Sequence, residues 1–278
     1  MTILNDMKET YIETNGIKLH TIIIGSGAPL VLLHGFPEFW YCWYKVIPLL
    51  KENFKLIIPD MRGYNLSDKP EGVENYKVEI LIEDIKGLSE KLGLGNFYLA
   101  GHDWGGGVAW IFAEKYPKLL KKLIILNAPH HKIFSQILKT DKEQQKASSY
   151  IFEFHKPNGE KFIIENNYKA LRESVFNDNF NESDKEKYLE AWSQPGAILG
   201  GVNYYRANKS LKDWSGIIKV PTLVLWGMKD FALKPQLLEG LSHYVKDLQI
   251  ERHEKSSHWI THDVPEFVSS KIREFILR

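Results

Sequence analysis

The chain has 278 residues, 44% of them hydrophobic and 13% aromatic, which is enough to bury a large core and too apolar for disorder over most of its length. Its 36 basic and 35 acidic side chains leave a formal charge of +1, so composition gives no argument for nucleic acid or an anionic membrane as partner. The single Cys42 excludes an intrachain disulfide and suits a reducing compartment.

In chain order, the polar and acidic stretch MTILNDMKETYIE lacks the apolar region of a secretory signal. Strands are predicted at 17–24 and 29–33, separated by the turn Gly25-Ser26-Gly27. A helix is expected over 40–50, a buried strand at 56–59 and an amphipathic helix over 78–92. The run 97–100 reads as a strand that passes through a sharp turn into a helix-like stretch, Gly107 to Tyr116, and the next strand is 122–126. Apolar strands alternating with helices imply an α/β fold with a mostly parallel sheet covered on both faces. From about His131 to Trp214 the chain turns charged, aromatic and helix-like, with no convincing strand. Strand signals resume at 221–226 and 247–252, and a helix closes the chain at 265–277. The expected organisation is a core of 1–130 and 215–278, with 131–214 as a helical cap over the edge where open α/β sheets bind ligands. No apolar run approaches the ~20 residues that span a bilayer, so a cytoplasmic protein that meets no membrane is the expectation.

The turn after 97–100 carries the chemistry. Leu99-Ala100-Gly101-His102-Asp103-Trp104-Gly105-Gly106 has the layout of a nucleophile elbow, with small residues around a strained central position. Here the central residue is Asp103. A carboxylate is ionised at neutral pH and attacks carbon without a base, giving an alkyl-enzyme ester. Directly after strand 29–33 comes His34-Gly35-Phe36-Pro37. Pro37 has no N–H, so Phe36 is the donor this turn can aim at the cleft. With the N–H of Trp104 it forms a candidate two-donor oxyanion hole. Asp230 lies just past strand 221–226, and His258 lies in the loop before the last helix. A lone loop aspartate is more often a cap or turn residue, and a lone loop histidine is usually only solvated. The weight rests on their order, nucleophile then acid then histidine, and on their shared position at strand ends of one sheet edge.

On the motifs HGFPEFWYCW, DMRGYNLSDKP, GHDWGG, NYYRAN, KDFALKP and SHW, the chain from Tyr11 to Leu277 resembles the epoxide hydrolase branch of the α/β-hydrolases. The resemblance implies Asp103 as nucleophile, Asp230 as the acid that orients the histidine and His258 as the base that activates water. It also implies two cap tyrosines that hold the epoxide oxygen. Tyr205, in NYYRAN, matches the second, and Tyr150, in SYIFEF, is the candidate for the first. A phenol suits the task, because ring opening makes an alkoxide that must be hydrogen-bonded and protonated. Phe36, Trp104, Leu233 and Trp259 are the expected substrate-binding residues of an apolar pocket. Asn65 stands where glycine is usual, and asparagine tolerates the left-handed conformation such a loop requires. His130 and His131 read as structural.

The expected reaction is conversion of an apolar epoxide to a vicinal diol, without metal or organic cofactor, by a monomer or homodimer. A haloalkane or haloacid dehalogenase shares the aspartate nucleophile. By resemblance, however, the haloalkane enzymes carry asparagine where Phe36 stands, and the fluoroacetate enzymes carry arginines near the nucleophile, where this chain has Trp104 and Gly107. A non-catalytic binding protein that has kept the fold is the alternative from another class, and an intact triad argues against it.

Overall fold

A computed structural model describes residues 6–211 and 213–278; Lys212 and the first five residues, which begin the polar N-terminal stretch, lie outside the described residues. The strands are β1 (Lys8–Thr14), β2 (Ile17–Ile24), β3 (Ala28–Leu33), β4 (Phe54–Pro59), β5 (Phe97–His102), β6 (Leu120–Leu126), β7 (Thr222–Gly227) and β8 (Leu248–His253). They form one sheet in the order β1-β2-β4-β3-β5-β6-β7-β8. The pairs β1–β2 and β2–β4 are antiparallel, and every later neighbour is parallel.

The core helices are α1 (Ile47–Leu50), α2 (Val78–Lys91), α3 (Trp104–Lys115), α10 (Ile260–Asp263) and α11 (Pro265–Leu277). Alternate residues along the central strands feed two cores, as the two-residue period of a strand requires. Val31, Leu33, Ile57 and Leu99 pack on one side with Ile82 and Ile85 of α2 and Val108 and Ile111 of α3. Leu30, Leu32, Leu56 and Ile58 pack on the other with Ile47 and Leu50 of α1 and Val268 and Ile272 of α11. These strands are apolar on both faces because both faces are covered.

Between β6 and β7 lie α4 (His131–Thr140), α5 (Lys142–Ala147), α6 (Tyr150–His155), α7 (Lys161–Val175), α8 (Glu182–Ser193) and α9 (Ala197–Ala207). This helical insertion sits on the carboxyl ends of the strands. The Trp192 indole of α8 donates to the Pro37 carbonyl (2.6 Å) and the Tyr204 hydroxyl of α9 donates to the Arg62 carbonyl (2.8 Å). Asn208 accepts from the Val78 N–H (2.8 Å) and donates to the Tyr76 carbonyl (2.9 Å). His130 donates from Nε2 to the Gly216 carbonyl (2.9 Å), so the segment entering the insertion is tied to the one leaving it. No helix among the described residues is long and apolar enough to cross a membrane.

Two local features differ from the sequence reading. β1 was not expected, because its outward face is polar and solvated; its signal is the Asn15-Gly16 pair, whose positive φ angles of 46° and 76° close the hairpin to β2. The expected helix over 40–50 is instead a 3₁₀ turn (Trp40–Trp43) followed by the single turn of α1, which has Pro48 in its first turn. Asn65 takes φ 39°, the conformation anticipated for it, and its amide donates to Asp60 Oδ2 (2.7 Å).

Candidate active site

Asp103 ends the β5–α3 connection at φ 48° and ψ −122°, outside the regions a side chain ordinarily permits. The turn closes only because its neighbours lack Cβ atoms: one added to Gly101 would lie 2.3 Å from the Gly105 carbonyl oxygen, and one on Gly35 would lie 2.3 Å from the Asp103 carboxylate. The backbone after β3 is thereby brought against Asp103. The Phe36 N–H donates to Asp103 Oδ1 at 2.8 Å. Trp104 opens α3, so its N–H is among the free donors at the positive end of that helix. His34 shapes this turn from within. Its Nδ1 faces the Gly35 carbonyl (2.9 Å) while Nε2 accepts from the Met61 N–H (2.8 Å), a neutral arrangement consistent with burial pushing its pKa down.

The other carboxylate oxygen faces the histidine: His258 Nε2 lies 3.6 Å from Asp103 Oδ2. On its far side, His258 Nδ1 lies 2.7 Å from Asp230 Oδ2. Asp230 is fixed from four directions. Its Oδ1 accepts from the N–H groups of Ala232 and Leu233 (2.8 Å each), and its Oδ2 accepts from Asn127 (2.7 Å) as well as His258. Burial works against its charge, but His258 and these donors hold its pKa below the ordinary carboxylate value. His258 is likewise opposed by burial, yet the carboxylates of Asp230, Asp103 and Glu38 raise its pKa to about 9.

Opposite the carboxylate, the insertion supplies Tyr150 at the start of α6 and Tyr205 on α9. Their rings meet edge to face with centroids 6.0 Å apart. Burial raises the pKa of both phenols, and the nearby Asp103 charge adds to the shift, so both remain donors. The two helices are cross-tied: Arg206 Nε donates to the Phe154 carbonyl (2.8 Å) and His155 Nε2 to the Tyr205 carbonyl (3.0 Å). Aromatic rings enclose the space between. Tyr205 meets Trp104 at 5.1 Å, Phe154 at 4.9 Å and Phe36 at 5.7 Å. Trp259 packs edge-on to His258 at 4.7 Å. Leu233 is buried beside Asp230 and contributes its N–H as well as its side chain.

All nine sequence-predicted residues therefore converge on one site. Three further contributors were not anticipated. Asn127, at the end of β6 with φ 38°, bridges Asp230 and the Gly227 N–H. Glu38 and His102 form a buried pair (2.6 Å), and the other ring nitrogen of His102 donates to the His258 carbonyl (2.9 Å). Burial opposes the Glu38 charge, but His102, aided by His262 and His258, holds that carboxyl at about 2. The sequence signal for them was position alone: Glu38 lies within HGFPE and His102 immediately precedes Asp103.

Comparison with known proteins agrees with this geometry. Residues 28–265 match the family model for the alpha/beta hydrolase fold. The chain is 38% identical to the AB hydrolase superfamily protein YfhM of Bacillus subtilis (strain 168), covering 98% of this chain and 99% of that one. It is 35% identical to Epoxide hydrolase 4 of Mus musculus, over 95% of this chain and 78% of the relative. Among solved structures it is similar to the Bacillus megaterium epoxide hydrolase bound to an inhibitor. That match has a TM-score of 0.91 at 33% identity and covers 97% of this chain and 100% of the other. The fold and site define an α/β-hydrolase. Within that class the chain belongs to the epoxide hydrolase family.

Proposed function

We propose that the protein hydrolyses epoxides to vicinal diols in two steps, through an ester on Asp103. The observation that carries the reading is the meeting of the Tyr150 and Tyr205 rings, centroids 6.0 Å apart, near a carboxylate whose Oδ1 is already held by the Phe36 N–H. In the first step the tyrosines bind the epoxide oxygen and Asp103 Oδ2 attacks a ring carbon from the opposite side. The new bond is C–Oδ2. The ring C–O bond breaks, and its electron pair leaves on an oxygen that takes a proton from a tyrosine, since an alkoxide is a far stronger base than a phenolate. In the second step His258 removes a proton from water, and the resulting hydroxide attacks Cγ of the ester. Negative charge develops on Oδ1, which already accepts from the Phe36 N–H, and the Trp104 N–H at the start of α3 is the second donor of this reading. Collapse breaks Cγ–Oδ2 and the diol oxygen takes the proton from His258; Asp103, left as the acid carrying one oxygen from water, returns its proton to the tyrosinate, so carboxylate and phenol are both regenerated.

Neither step calls for a metal or organic cofactor. In this reading residues 131–214 act as the cap, which supplies both tyrosines and closes the site. Phe36, Trp104, Phe154, Leu233 and Trp259 favour an apolar substituent on the epoxide. A single turnover in heavy-oxygen water tests the assignment. Label should enter the Asp103 carboxylate and be nearly absent from the first diol released; label confined to that diol would mean direct attack by water.

A further inference from the structure

The residues on both sides of His258 are fastened to one short segment of the insertion. Asp263, at the end of α10, accepts on Oδ2 from the Ser257 N–H (2.7 Å) and the Ser257 hydroxyl (2.6 Å). Its Oδ1 accepts from the side-chain amides of Asn177 (3.0 Å) and Asn179 (2.8 Å). On the other side of the histidine, the Trp259 indole N–H donates to the Ser174 carbonyl (2.8 Å). The same helix turn supplies His262, whose Nε2 meets the Tyr188 hydroxyl of α8 (2.8 Å) and whose ring stacks on Phe180 at 4.1 Å. The connection between α7 and α8 is itself organised, because the Asn179 N–H donates to Asn177 Oδ1 (2.9 Å).

One carboxylate thus takes four hydrogen bonds, two from the residue preceding the base and two from the insertion. Carboxylate hydrogen bonds are short and directional, so a displacement of the 174–179 segment either breaks them or drags Ser257 along. Ser257 is one peptide link from His258, whose ring must reach a water placed against the Asp103 ester. The tyrosines are held separately, through the mutual ties of α6 and α9 and the anchoring of Tyr204 and Asn208 to Arg62, Tyr76 and Val78. We propose that Asp263 is a positioning residue for ester hydrolysis, locking the His258 loop to the 174–179 segment so that docking of the insertion sets the base. This rests on the two-step reading above. It separates the two tasks of the insertion: α6 and α9 serve ring opening, and 174–179 serves hydrolysis.

The test compares the full-length chain with Asp263→Asn and with Asn177→Ala/Asn179→Ala, using styrene oxide as probe, rapid quenching and intact mass to follow esterified enzyme against diol. In both variants ring opening should stay within about twofold of the parent while hydrolysis slows roughly tenfold, as expected of a displaced base, so that ester accumulates. Equal slowing of both steps, or an unchanged partition between them, overturns the proposal, because a general loss of packing would not single out hydrolysis. If Asp263→Asn does not fold, the asparagine pair decides, since it alters only the insertion's side of the bridge. Turnover by the parent chain without any ester would overturn the two-step reading and this inference with it. Ester in the parent with an unchanged partition in the variants would overturn this inference alone.

Discussion

His258 Nε2 lies 3.6 Å from Asp103 Oδ2 while its Nδ1 is 2.7 Å from Asp230 Oδ2, so the imidazole stands between two carboxylates. That placement raises its pKa to about 9 against the effect of burial. A protonated histidine cannot accept a proton from water. Esterification of Asp103 resolves the difficulty, because it removes one of the charges that hold His258 protonated. In the proposed mechanism the first chemical step thus prepares His258 for the second.

The apparent pKa governing ester hydrolysis should accordingly lie below that of His258 in the free enzyme. Single-turnover hydrolysis measured across pH, set against an NMR titration of the free histidine, checks this. Identical values would mean that the Asp103 charge does not govern the base.

The same shift makes a stability prediction. The folded pKa of about 9 stands above the ordinary value of 6.5, so the favourable interaction is fully present below about 6.5 and is lost as pH rises through 9. The thermal midpoint of the parent should fall more steeply over that window than that of His258→Gln. Parallel curves would show that the histidine charge is not coupled to folding.

Tyr205→Phe and Tyr150→Phe should each slow ring opening by roughly a hundredfold, the usual worth of a positioned proton donor, while leaving hydrolysis of a preformed ester little changed. Halide release from a haloalkane should hardly respond, since no alkoxide forms. Stopped-flow ring opening with both substrates provides the comparison, and equal losses would reduce the tyrosines to packing.

Asn127→Ala removes one of four donors to Asp230 and the acceptor for the Gly227 N–H, both buried. A loss of about 1–3 kcal/mol in unfolding free energy is expected for stranding buried polar groups. Chemical denaturation measures it, and an unchanged midpoint would contradict the assignment.

Asp103, Asp230 and His258 were legible in the sequence because each lies in a motif of its own in the connection that follows a recognisable strand. Tyr205 followed from NYYRAN, and Phe36 from the simple fact that Pro37 has no N–H to give. Glu38 and His102 were hidden for a physical reason. They lie 64 residues apart, and only the parallel pairing of β3 with β5 brings their side chains together. Asn127 was equally silent, since an asparagine at a strand end has many ordinary uses and its partner lies 103 residues away. The helix expected over 40–50 failed where Pro48 and a run of aromatics divide it into two short turns.

The central claim is that Asp103 becomes esterified. Incubating His258→Gln with styrene oxide and measuring intact mass tests it most directly. The account predicts a stable gain equal to one epoxide, located on the peptide that contains Asp103. An unmodified variant beside an active parent chain, or an adduct on any other residue, would contradict it.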